Sequence, residues 1–204
     1  MGRKITDEYK RKTRTRHKTI LIGVEGKKNK TENLYFNSFN VRGGNYVIKI
    51  ANGNSTDPLK MVKDIIKTMR LKDIDVKYGD KIYCVFDSDE DENKDLQIKK
   101  AIALARKHNI EIIVSNPCFE EWFLCHFKYT TGDKVIEKLK CYIPNYDKNI
   151  DVFPIVDKFT EVGIKNAKKQ IKYHKSLGRD VNLTQSNPCT NVYKIIEEIR
   201  DNMY

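Results

Sequence analysis

The chain has 204 residues, 33% charged and 39% hydrophobic, which is typical of a globular protein with one hydrophobic core. No run approaches the roughly 18 apolar residues that cross a bilayer. The first ten residues lack the apolar segment of a signal peptide, so we expect neither a membrane span nor a secretory leader. The net charge of +11 favours a polyanionic partner, most commonly nucleic acid.

Residues 1–18 form the first distinct segment. They carry eight Lys and Arg side chains against two acids, with almost no apolar residues. This composition predicts a flexible basic arm, which would add salt-sensitive affinity for a phosphate backbone. A solvated tail without a binding role remains the alternative.

Apolar runs and helical patterns then alternate along the chain. Short apolar runs predict strands at residues 18–24, 46–50, 78–86 and 110–114. Helical spacing predicts helices at 31–36, from Asp57 and Pro58 onward, and at 94–108 with Leu96 and Ile98 inward. We therefore predict an α/β fold with a central, mostly parallel four-stranded sheet, helices on both faces and a helical C-terminal extension.

The third predicted strand stops abruptly at carboxylates. Asp87 and Asp89 are two residues apart, so they point to the same side if the strand geometry persists, and together they can hold one hard cation. The alternative is the solvated start of a loop.

The first predicted strand also ends at a carboxylate, Glu25, followed by Lys27 and Lys28. Parallel strands deliver their carboxyl ends to the same edge of a sheet, so Glu25, Asp87 and Asp89 can converge there. Three converging carboxylates repel one another unless a divalent ion neutralises them. The two lysines suit a phosphate group.

The five cysteines include no C-x-x-C pair and are odd in number. This favours a reduced, cytoplasmic protein. Cys118, Cys125 and His126 lack a fourth ligand at a finger-like spacing, so we do not expect a zinc site.

The C-terminal third is predicted to be helical. Pro117 suits the first turn of a helix packed through Trp122 and Phe123, and Thr190 suits the cap of the last helix. Residues 162–179 contain many bases and no acid, with apolar residues at helical spacing. This pattern predicts a helix with one packed and one basic face, our best candidate for a nucleic-acid contact. Its lysines are Lys165, Lys168, Lys169, Lys172 and Lys175.

A Glu after the first strand and an Asp-x-Asp after a later strand resemble the Toprim domain of topoisomerases, primases and OLD-type nucleases. Residues 24–32, residues 86–90 and the S-N-P-C-F-E-E-W block at 115–122 together resemble the RloB family. That family comprises Toprim-like proteins of bacterial phage-defence and restriction loci, often encoded beside an ATPase. The resemblance extends from about Thr19 to the C-terminus. Ser88 departs from it, because we expect a basic residue between the two aspartates.

The resemblance implies a Toprim-like, Rossmann-like core over residues 19–130 and a helical extension over 131–204. Glu120 matches the acidic position of the family better than Glu121 and is implied as a further metal ligand, although a helix-start carboxylate is the alternative. Lys148 matches a Tyr-x-Lys element and is implied near the reacting phosphate. His126 we assign to structure.

These inferences lead to a metal-dependent nuclease acting on DNA or RNA, tRNA included. Asp87 and Asp89 would hold Mg²⁺ or Mn²⁺, and Glu25 would be a ligand or a general base. The resemblance adds a role in anti-phage defence and an ATPase partner. The rival is a non-catalytic subunit that binds nucleic acid or its partner, and rejoining or polymerising chemistry ranks last. The oligomeric state is open, a homodimer included.

Overall fold

The computed structural model describes residues 16–25, 30–41, 44–52, 55–89, 91–132 and 134–202, and of Asn52 and Glu92 only the backbone. Most of the predicted basic arm, and both Lys27 and Lys28, lie outside these residues.

One sheet of five strands organises the described part of the chain. The strands are β1 (Lys18–Val24), β2 (Tyr46–Asn52), β3 (Lys81–Asp87), β4 (Glu111–Asn116) and β5 (Cys189–Thr190). Their spatial order is β2-β1-β3-β4-β5; the first four are parallel, and β5 pairs antiparallel with β4. The predicted α/β class with a mostly parallel sheet is confirmed.

Eight α-helices connect and cover these strands within the described ranges. They are α1 (Thr31–Asn37), α2 (Pro58–Leu71), α3 (Glu92–Arg106), α4 (Glu120–Cys125), α5 (Val135–Lys140), α6 (Phe153–Val156), α7 (Thr160–Ser176) and α8 (Tyr193–Asp201). The predicted start of α2 at Asp57 and Pro58 is confirmed, and the Asp57 side chain caps the helix by accepting a hydrogen bond from the Lys60 backbone N–H at 2.7 Å. None of the helices in the part described is long and apolar enough to cross a membrane.

Side chains alternate between two hydrophobic cores, one on each face of the sheet. Ile20 and Ile22 of β1 pack with α1, α4, α5, α7 and α8, whereas Leu21 packs with α2 and α3. The first core also contains fully buried aromatic rings, among them Trp122 and Phe123. The C-terminal helices therefore share a core with the sheet, and helices cover both faces as predicted.

The sheet has one strand more than predicted. β5 is only two residues long, too short for an apolar run to reveal, and it is tied to β4 by a 2.9 Å hydrogen bond between the hydroxyls of Ser115 and Thr190. The prediction that Thr190 caps the last helix is therefore wrong, since α8 begins at Tyr193.

Three other local predictions need correction. Pro117 does not open a helix, because α4 begins at Glu120. Leu96 is 60% exposed and so is not part of the core. Arg16 does not belong to a free arm, since its guanidinium binds Asp80 at 2.7 Å.

Candidate functional site

The strand order reverses between β1 and β3. The chain proceeds from β1 to β2 on one side and from β3 to β4 on the other, so the order reverses between these two neighbouring strands. In open α/β sheets ligands bind beyond the carboxyl ends of the strands at this point. Val24 pairs with Val85, which brings Glu25 and Asp87 to the same edge.

Asp87 is the most deeply placed carboxylate of this edge. It is the last residue of β3 and is only 8% exposed. Burial raises its pKa well above the usual range, and the charges of Glu25, Glu32 and Glu120 raise it further. A negative charge at Asp87 is therefore unfavourable until positive charge approaches.

Glu25 follows β1 and shares this environment. Burial raises its pKa to about 7, and the Asp89 charge adds to the shift, while the Lys94 ammonium and the backbone N–H of Asp87 oppose it. Glu25 is thus coupled both to Asp87, the last residue of β3, and to Asp89 beyond it.

Asp89 does not continue the geometry of β3. The strand ends at Asp87, and Asp89 has a φ of 56°, a left-handed conformation that Asp tolerates better than most residues. Its backbone N–H donates to the Pro117 carbonyl at 3.1 Å. The expectation that strand alternation aligns the two aspartates is therefore wrong: Asp87 is buried, whereas the Asp89 side chain is 54% exposed.

Lys94 bridges the carboxylates of Glu25 and Asp89. Its ammonium lies 2.7 Å from Asp89 Oδ2 and 3.3 Å from Glu25 Oε1. Lys94 was not predicted from the sequence, because one lysine among 39 Lys and Arg residues has no distinguishing pattern around it.

Two neighbouring glutamates of α4 have different surroundings. Glu120 is 2% exposed, accepts a hydrogen bond from the Tyr146 hydroxyl at 2.9 Å and is electrostatically coupled to Asp87. Glu121 is also fully buried, but it accepts a hydrogen bond from the Gln170 amide of α7. The structure therefore places Glu120, and not Glu121, at the carboxylate edge.

The loop after α5 brings Lys148 to this edge. Its ammonium lies 3.8 Å from Glu120 Oε1, and its backbone carbonyl accepts a hydrogen bond from Thr31 Oγ1 at 2.9 Å. Burial lowers the pKa of Lys148, but the charges of Glu120 and Asp87 outweigh burial and raise it overall. Tyr146, in the same Tyr-x-Lys element, was not predicted as a site residue, although the element already contained it.

The predicted basic helix is α7, and its two faces are confirmed. Ile164, Ala167 and Ile171 are buried. The lysines of the opposite face are all exposed: Lys165, Lys168, Lys169, Lys172 and Lys175. Lys168 forms an ion pair with Glu197, and the Lys169 ammonium lies 4.0 Å from the centre of the Tyr129 ring.

The carboxylates at this edge are of the chemical type that binds a hard divalent cation. Carboxylate oxygens are the ligands that Mg²⁺ and Mn²⁺ prefer, and burial together with the neighbouring acids raises the pKa of Asp87. In the arrangement described, however, no three or more His, Cys, Asp or Glu side chains are grouped closely enough to hold an ion, as far as the described residues extend. The Lys94 ammonium takes up the contact between Glu25 and Asp89.

Comparison with known proteins gives one family. Searches of curated proteins and of solved structures found no match. A family model described as RloB-like protein matches residues 20–199, which is most of the chain. The protein therefore belongs to the RloB-like family.

Proposed function

We propose that this protein is a metal-dependent nuclease that hydrolyses phosphodiester bonds of DNA or RNA, tRNA included, with a Toprim-like site. The observation that carries the proposal is that Asp87 is buried at the strand-order reversal and is electrostatically coupled to Glu25 and Glu120. Buried carboxylates with strongly shifted pKa values are typical of functional sites.

Four carboxylates would hold Mg²⁺ or Mn²⁺: Glu25, Asp87, Asp89 and Glu120. When bound, the ion would polarise the phosphate and lower the pKa of a bound water. Glu25 is a ligand or the base that accepts a proton from the attacking water. Tyr146 orients Glu120 through its hydroxyl, and Lys148 balances charge that develops on the phosphate.

The exposed face of α7 supports a nucleic-acid partner. Its five lysines are held on a folded helix and are therefore positioned in advance of binding. Lys27 and Lys28, which follow Glu25 in the sequence, remain predicted phosphate contacts. The role in anti-phage defence and the ATPase partner rest on the family resemblance.

A second candidate function is a non-catalytic subunit that binds nucleic acid or a partner protein. It is favoured by one observation, namely that the described side chains form no group of three or more metal donors. In that case the carboxylate edge would serve structure only.

Cleavage of labelled DNA and RNA, with tRNA included and with Mg²⁺ or Mn²⁺ present, tests the leading function. We expect wild type to cleave at least one substrate and Asp87→Asn to lose at least about 100-fold in rate. The matched control is Glu137→Gln, which removes an exposed negative charge on α5 and should cleave like wild type. Equal cleavage by wild type and Asp87→Asn would refute the site, and binding without cleavage, even with the ATPase added, would favour the subunit.

Replacing lysines of α7 tests the nucleic-acid surface. The variant Lys165→Gln/Lys169→Gln/Lys172→Gln should bind more weakly, and the slope of log affinity against log salt should fall by roughly one unit per contacting lysine. The control Lys60→Gln/Lys63→Gln/Lys67→Gln removes the same charge from the exposed face of α2. An equal loss in both variants would mean that net charge, and not α7, provides the affinity.

A further inference from the structure

Lys94 has an unusual position for a lysine. It lies in the first turn of α3, where the helix dipole disfavours a positive charge, and its side chain is only 8% exposed. Lys99 and Lys100 of the same helix are exposed, as lysines usually are. Burial alone would lower the pKa of Lys94, yet hydrogen bonds and charges from Asp89 and Glu25 raise it overall.

Two carboxylates therefore hold this ammonium in an otherwise unfavourable place. Its contacts are Asp89 Oδ2 at 2.7 Å and Glu25 Oε1 at 3.3 Å. These are two of the groups that the proposed function assigns to a divalent cation. The carboxylate oxygens that contact the ammonium cannot bind a metal ion from the same side at the same time.

While Lys94 binds Glu25 and Asp89, no three metal donors are grouped closely enough to hold an ion among the described side chains. Lys94 reduces the repulsion between Glu25 and Asp89 without drawing in Asp87, because an ammonium carries one charge and three donors. A divalent ion carries twice the charge and accepts about six oxygen ligands, so it draws carboxylates closer together.

We propose that Lys94 is the resident counter-ion of the carboxylate edge, and that a divalent cation binds by displacing it from Glu25 and Asp89. This inference rests on the proposed function, since it concerns the same site. Its consequence is a weakened affinity for the metal, because each binding event breaks two ion pairs before new ones form. Lys94 thus sets the metal concentration at which the site fills.

The test measures Mn²⁺ binding directly, by calorimetry or by the electron paramagnetic resonance signal of free Mn²⁺, without substrate. Lys94→Met should bind Mn²⁺ at least about 10-fold more tightly than wild type. Lys94→Gln keeps a neutral donor and should fall between them. Lys99→Met, an exposed lysine of the same helix, is the control and should match wild type.

Thermal unfolding provides a second readout that also reports whether the variants fold. Without metal, Lys94→Met should melt below wild type, since Glu25 and Asp89 lose their counter-ion. With Mn²⁺ it should gain more in melting temperature than wild type does.

The outcomes separate this inference from the proposed function. If wild type and Lys94→Met bind Mn²⁺ equally, or Lys94→Met binds more weakly, while Asp87→Asn abolishes binding, the metal site stands and the counter-ion role fails. If no protein binds Mn²⁺, or if Asp87→Asn binds as well as wild type, both ideas are refuted.

Discussion

Buried aspartates lie just before β3 and at its last position, and the two have opposite surroundings. Asp80, just before the strand, is 1% exposed, and its carboxylate accepts four hydrogen bonds from described residues. The two terminal guanidinium nitrogens of Arg16, Nη2 and Nη1, donate to it at 2.7 and 3.2 Å. The backbone N–H groups of Thr19 and Asp75 donate to it at 2.8 and 2.9 Å. Burial raises its pKa, but these bonds outweigh burial and lower it overall.

Asp87, at the other end, is buried among like charges. Glu25, Glu32 and Glu120 all raise its pKa, on top of the effect of burial. The six residues 81–86 of β3 thus separate a stabilised carboxylate from a destabilised one.

Burial of an acid therefore does not by itself indicate a binding site. At the amino edge of the sheet, the chain supplies enough donors to satisfy Asp80, so this residue serves folding. At the carboxyl edge the chain adds further acids around Asp87, which is unfavourable for stability and is typical of a place where a ligand supplies the missing charge. Four predictions test this contrast.

The largest expected effect on folding comes from Asp80→Ala. It leaves two backbone N–H groups and the Arg16 guanidinium without their acceptor, so we expect a loss of about 3 kcal/mol in the free energy of unfolding. Urea unfolding followed by circular dichroism measures it. Asp64→Ala, on the exposed side of α2, should change stability by less than about 0.5 kcal/mol. If Asp80→Ala also changed the free energy of unfolding by less than about 0.5 kcal/mol, Asp80 would not be the stabilised counterpart of Asp87.

Tyr146→Phe tests the carboxyl edge without removing a charge. The hydroxyl that donates to Glu120 is lost, so this carboxylate is no longer oriented, and we expect about 10-fold weaker Mn²⁺ binding. Calorimetry measures the affinity. Tyr142→Phe removes the hydroxyl of a 42% exposed tyrosine on the same segment and should bind Mn²⁺ like wild type. Unchanged affinity in Tyr146→Phe would remove Glu120 from the site.

Of the two edges of the sheet, only the carboxylate edge could be predicted from the sequence. Abrupt ends of apolar runs at Glu25 and Asp87 predicted the carboxylate edge, because parallel strands end on one side of a sheet. Asp80 carried no such signal, since its partners Arg16 and Thr19 are more than 60 residues away in the chain. Long-range pairing of this kind leaves no local pattern.

The other site residues also depend on contacts between distant parts of the chain. Lys148 and Glu120 were found through the resemblance and not through periodicity. Lys94 was missed, because nothing in its neighbours along the chain shows that α3 directs it at Glu25. The left-handed conformation of Asp89 was missed as well, since it depends on a hydrogen bond to Pro117 that only the fold creates.

Asp87→Asn sharpens the contrast from the stability side. In metal-free buffer, the amide removes a negative charge from a buried cluster of acids, so we expect the free energy of unfolding to rise by about 1 kcal/mol. Unfolding in the presence of a chelator measures the change. A destabilisation similar to that of Asp80→Ala would show that Asp87 serves folding, which would remove the argument for a ligand.

Arg16→Met should have the smallest effect, and its pH dependence identifies the partner. The Arg16 side chain is 41% exposed, so we expect a loss of only about 0.5 to 1 kcal/mol at pH 7. Asp80 has a lowered pKa in the folded protein, so its ion pair contributes fully above the unfolded value of about 3.9 and is lost as the pH falls through the folded value. The difference between wild type and Arg16→Met in urea unfolding should therefore stay constant down to about pH 4 and shrink below it.

Unfolding from pH 5 to pH 2 measures this difference, and Lys63→Met, an exposed lysine of α2, controls for net charge. A difference of unchanged size at pH 2 would mean that Arg16 acts through its contacts with Asp73 and Tyr78 and not through Asp80.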